Sequence, residues 1–138
     1  MRGTVRPNPK SLLSVTGALE VATGLALLMA PSVLIDLLLG ATPGSSAGLT
    51  VSRVAGVALL ALGVACWLAR EDPAGRAAKG LIAAMCLYSV AVVAIIVHAW
   101  MSLGLFGIAF WPLVLVHTGL AAWCIACLST RPLEEKRS

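Results

Sequence analysis

Four long apolar runs dominate the chain, at about 11–30, 49–69, 80–100 and 108–128. Apolar residues are continuous within each run, so the alternation of a half-buried β-strand is absent. Each run is also about twice as long as the roughly 9–11 residues of a membrane-barrel strand. At about 1.5 Å per residue, roughly 20 helical residues cross a hydrocarbon layer about 30 Å thick. A helix satisfies its own backbone N–H and C=O groups, as a segment surrounded by lipid must. The pattern predicts an all-α fold: one integral-membrane four-helix bundle occupying residues 1–138.

The breaks between runs refine this picture. Pro31 directly follows the first run, and the segment 32–39, apolar apart from Asp36, is too short to span. Proline fits the first turn of a helix and Gly40 can close one. We therefore expect a short interfacial helix after the first span, then a turn-rich loop, ATPGSSAG, at 41–48. The connection at 70–79, REDPAGRAAK, is rich in charge, whereas 101–110 is a short uncharged hairpin. Pro112 suits the first turn of the fourth helix, where its missing N–H is harmless. The first run is not read as a cleaved signal sequence. It exceeds an h-region of about 7–15 residues, carries Glu20 in its middle and is followed by proline.

Composition strengthens the membrane reading. The chain is 59% hydrophobic and 12% charged, against about 45–50% and about 25% in soluble domains. Its mean hydropathy is +0.97. The net charge of +4 does not indicate nucleic acid, because the basic residues sit in short segments between apolar runs instead of forming an aromatic-interleaved stripe. Their distribution predicts orientation instead. Arg2, Arg6 and Lys10 precede the first span, Arg70, Arg76 and Lys79 lie between the second and third, and Arg131, Lys136 and Arg137 follow the fourth. The other face has no Lys or Arg in its loops. By the positive-inside rule both termini are cytoplasmic, in a bacterial inner (plasma) membrane. Trp67, Trp100 and Trp111 fall near span ends, as an aromatic belt requires, and Trp123 lies deeper.

Candidate chemistry is confined to a few intramembrane polar groups. Glu20, His117, Tyr88 and Ser89 are expected near mid-membrane, with Arg53 roughly 10 Å toward the outer face. A mid-membrane carboxyl costs a few kcal/mol to insert and must face the bundle interior. One reading makes Glu20 a structural clasp to His117 or Arg53, contributing about 0.6–2 kcal/mol. The other gives it a transport, ligand-binding or proton role. Arg53 is either a snorkelling residue or a counter-ion to Glu20. His98 and His117 differ in height by roughly 10 Å, which does not suit paired ligation of a haem. Cys124 and Cys127 form a C-x-x-C on one helix face and are weak candidates for a metal or for redox exchange; packing is the simpler reading for all four cysteines, Cys66 and Cys86 included. No metal site or catalytic residue is otherwise indicated, and no cofactor is predicted, although a lipid or quinone would suit such a bundle.

Small residues at four-residue spacing, Ala18, Ala22 and Ala26, Ala61 and Ala65, and Ala122 and Ala126, would permit close helix approach or oligomer contacts. The stretches LLALGVACWLAR at 59–70 and LAAWCIACLSTR at 120–131 suggest a parallel repeat of two hairpins, with Cys66 matching Cys127. Through GALEVATGLALLMAP at 17–31 and SRVAGVALLALGVACWLAR at 52–70, the sequence resembles uncharacterised small bacterial membrane proteins of the DoxX-like kind. The resemblance implies a four-helix bundle with a polar residue in the first span and an arginine in the second. It is similar to small multidrug exporters only in its mid-span glutamate. The expected function is a binding or accessory protein that assembles with itself or with a larger membrane complex. The alternatives are a small proton-coupled transporter using Glu20 and a membrane thiol redox protein.

Overall fold

The computed structural model describes residues 7–129. It contains five helices: α1 (Pro9–Met29), α2 (Pro31–Leu39), α3 (Ser46–Ala69), α4 (Arg76–Leu103) and α5 (Phe110–Ser129). Among the described residues there is no strand. All except α2 are long and apolar enough to cross a membrane. Arg2 and Arg6 at one end, and Arg131, Lys136 and Arg137 at the other, lie outside the described residues. So does the end of the second repeat segment.

Helix starts follow local chemistry. The Asn8 side chain accepts from the Lys10 and Ser11 N–H groups at 3.0 and 3.3 Å, capping α1 ahead of Pro9. Ser45 Oγ accepts from Gly48 N–H at 3.1 Å and begins α3. Pro31 opens α2 and Gly40, in the left-handed conformation at φ 66°, closes it. The third run reaches further than its apolar stretch. With 28 residues, α4 would extend about 42 Å, so the turn carrying Arg76 and Lys79 continues the helix past the apolar segment. Pro112 falls in the first turn of α5, as expected.

The helices form two antiparallel pairs. In the first, α1 lies against α3 so closely that backbones touch. A Cβ on Gly24 would stand 2.7 Å from the Gly56 carbonyl oxygen, and one on Gly56 2.8 Å from the Gly24 carbonyl oxygen. Gly17 and Gly63 repeat the arrangement, at 3.0 and 2.9 Å. Glycine removes the Cβ that would hold the axes apart, which permits dense packing without a hydrophobic driving force. The alanines expected to do this do not. Ala18, Ala22, Ala61, Ala122 and Ala126 are exposed, and the close approach runs through glycines seven residues apart on each helix.

The second pair is α4 with α5. The two pairs join at the end that carries the α3–α4 connection. There Leu12 and Leu13 of α1, Cys66 of α3, Ala78, Ile82 and Met85 of α4, and Leu120, Cys124 and Cys127 of α5 make one buried core. At the opposite end α2 bridges the pairs through its backbone. Gly107 N–H donates to Leu38 O at 3.2 Å, and Ala109 N–H donates to Leu37 O at 2.8 Å. A Cβ on Gly107 would collide with the Leu37 carbonyl. Beside this tie, Trp100, Phe106, Phe110 and Trp111 stack in one cluster, with ring centroids 5.1–6.5 Å apart.

If backbone contact holds α1 to α3, Gly24→Ala will lower the thermal midpoint in detergent, by overpacking worth about 1–3 kcal/mol. Gly119→Ala, at a site with nothing within 4 Å, will leave it unchanged or raise it, since alanine favours helix by about 0.5–1 kcal/mol over glycine. Thermal melts monitored by circular dichroism compare the two.

Candidate binding cavity

Among the buried positions on α1 (Leu12, Leu13, Thr16, Gly17, Glu20 and Gly24), Leu13, Gly17, Glu20 and Gly24 recur at three to four residues and mark one helix face. Glu20 therefore sits on the face that meets α3, between the two glycine contacts. With the backbones touching on either side of it, the seam has no room for its side chain. Glu20 instead lines a cavity between α1 and the second pair, and is only 4% exposed.

The cavity measures about 350 Å³. Its walls are almost wholly apolar: Leu27 of α1, Leu59 of α3, Val92 and Ile96 of α4, Leu113 and Leu120 of α5. Leu34 and Leu38 of α2 and Ala109 of the α4–α5 connection close the end where α2 is tied down. Four side chains supply polarity: Glu20, Thr23, Tyr88 and His117. The Tyr88 and His117 rings lie 6.0 Å apart, tilted by 58°. His117 Nδ1 is 3.0 Å from the Leu113 carbonyl oxygen. A carbonyl can only accept, so Nδ1 carries the proton and, in the neutral ring, Nε2 keeps its lone pair. Leu19 on α1 and Val116 on α5 line the cavity and are also exposed, at 38% and 43%. The wall between α1 and α5 is accordingly open on its side.

Of the predicted polar cluster, Glu20, Tyr88 and His117 come together around this space. Ser89 does not join them. It is buried on the Ala78–Ile82–Met85–Ser89 stripe of α4, one residue round the helix from Tyr88. Arg53 is exposed. The antiparallel register of α1 and α3 sets Gly56 beside Leu27 and Leu28, which leaves Arg53 roughly 10 Å or more along the axis from Glu20. The expected clasp is thus not made. Glu20 forms no hydrogen bond or ion pair with any described residue, because His117 is committed to its own helix and Arg53 lies too far along the seam. The ion pair that does form is Arg70 with Glu71, at 3.1 Å, with the Arg70 guanidinium carbon 3.4 Å from the centre of the Trp67 ring. His98 is exposed and its Nδ1 lies 3.3 Å from Ser102 Oγ.

Two threonines extend the polar set beyond the residues singled out in the sequence. Thr16 and Thr23 stand four residues before and three after Glu20, so they continue its polar stripe. Thr23 lines the cavity, while Thr16 is 2% exposed with its hydroxyl unpaired. That three-to-four spacing of Thr, Glu and Thr was the available signal. Cys66, Cys124 and Cys127 are buried in the core, and Cys86, half-buried, points its Sγ at the Ala121 carbonyl at 3.9 Å. Among the described residues, no group of three or more His, Cys, Asp or Glu side chains is placed to hold a metal ion.

Comparison with known protein families, with curated proteins and with solved structures finds no match to this chain.

A buried carboxyl without a partner is a burden on the fold. Glu20→Leu and Glu20→Gln will therefore assemble normally, and Glu20→Leu will raise stability in detergent by about 1–3 kcal/mol. A lowered melting temperature for Glu20→Leu would instead reveal a clasp.

Proposed function

We propose that this chain is a multi-pass membrane protein that binds a small lipid-soluble molecule in the cavity between its two helix pairs. One observation carries the reading: a carboxyl group, almost fully buried and without a hydrogen bond to any described residue, stands in the wall of a mostly apolar space. Concave, mostly apolar sites with a few convergent polar groups are how proteins take up small ligands. An intramembrane ionisable residue is expensive enough to mark function. The lateral gap beside Leu19 and Val116 supplies a route from the hydrocarbon phase. Proton-coupled transport is less well supported, since the buried core of Leu12, Leu13, Cys66, Met85 and Cys124 packs the α3–α4 end of the bundle.

In this reading the α3–α4 connection and both termini face the cytoplasm of a bacterial cell, on the strength of nine of the ten Lys and Arg residues. The helix α2 then lies in the outer interface, as a roof over the ligand. It acts alone, as a self-assembled oligomer or as an accessory subunit that offers its ligand to a larger membrane complex.

Native mass spectrometry of the intact protein, released from mild detergent, will show a retained small apolar adduct. Filling the cavity with Val92→Phe and Leu113→Trp will abolish the adduct without unfolding the protein. An adduct-free parent, or one retained after filling, would overturn the reading. Reporter fusions at Ala74 will give cytoplasmic signals and those at Ser45 or Gly104 exterior ones; a reversed pattern would overturn the orientation.

A further inference from the structure

Resting on that reading, we infer that the ligand is a lipophilic amine, bound as its ammonium form with its head against Glu20 and its tail along the walls from Leu27 to Ile96. The charge and the polar groups around the cavity point to this head. Glu20 contributes a carboxyl group that no described residue pairs with or hydrogen-bonds. His117, which lines the cavity, has spent its Nδ1 proton on the Leu113 carbonyl, so Nε2 of the neutral ring is an acceptor. Tyr88, tilted against His117, adds a phenol ring whose face attracts cations. No Lys or Arg is among the lining residues, and Arg53 is exposed well along the seam.

With one acidic side chain, the acceptor nitrogen of His117, two hydroxyls (Thr23 and Tyr88) that can accept as well as donate, and no Lys or Arg, the lining discriminates by head group. An ammonium supplies the charge and the N–H donors that Glu20 and His117 lack, in charge-assisted hydrogen bonds. A neutral alcohol supplies one donor and no charge. A carboxylate would bring a second negative charge beside Glu20 in a space with few polar groups, which is strongly unfavourable. The cavity accepts the tail in every case, so only the head separates the three.

The test uses hexylamine, hexanol and hexanoate, which share a tail. Each is titrated calorimetrically into the full-length protein in phosphatidylcholine nanodiscs, with empty nanodiscs subtracted. The amine is expected to bind at least about tenfold more tightly than the alcohol, with hexanoate weakest. Glu20→Gln is expected to bring the amine down to the affinity of the alcohol, and the cavity-filled Leu113→Trp to abolish binding of both. Equal affinity of amine and alcohol, a preference for hexanoate, or an amine preference that survives Glu20→Gln would overturn the ammonium assignment while leaving the cavity as a binding site. Failure of all three probes to bind the unmodified protein would overturn the binding reading itself.

Discussion

Along the seam between α1 and α3, the carbonyl of one helix occupies the place where the other would carry a Cβ, at Gly24 and Gly56 and again at Gly17 and Gly63. This contact constrains the rest of the structure. It removes the space between the two helices, so the polar side chain lying midway along it must leave the seam sideways. It also makes the first pair thin, and its side chains join those of the second pair in one buried core at the α3–α4 end. The cavity is what remains where the pairs do not meet, and its single acid is there because the seam has no room for it.

The two halves of the molecule consequently differ in character. One is a dry core of Leu, Ile, Met and Cys side chains contributed by α1, α3, α4 and α5. The other is hollow, roofed by α2 and fixed by backbone hydrogen bonds and an aromatic cluster instead of interdigitated side chains. The packed half supplies the stability that the hollow half gives up. An unpartnered carboxyl and an open volume both oppose folding, and both are concentrated where a ligand would offset them.

Much of the architecture was legible in the sequence because it depends on local rules. Run length identified the four helices long and apolar enough to span a membrane, Pro31 and Gly40 delimited α2, and the insertion cost of Glu20 implied an inward direction. What failed were statements about which residues meet. Depth counted along each helix separately makes Arg53 a counter-ion candidate, whereas contact depends on the register between two helices. The small-residue face was assigned to alanines, which are abundant in every span, and not to Gly17, Gly24, Gly56 and Gly63, whose seven-residue spacing acquires meaning only when the two helices are laid antiparallel. The cavity itself had no sequence signature, since it is a divergence between two pairs and belongs to no single element.

The tie between α2 and the last connection has a consequence for biosynthesis. As the chain emerges from the ribosome, α1 and α3 can close their glycine seam once the first 69 residues are made. The carbonyls of Leu37 and Leu38 then still lack the partners they have in the finished fold, because Gly107 and Ala109 have not been synthesised. The roof of the cavity can be fastened only after α4 has been laid down and the chain has turned toward α5. The hollow half is therefore the last part of the molecule to be sealed, and during synthesis it stands open toward the bilayer from which a ligand would come.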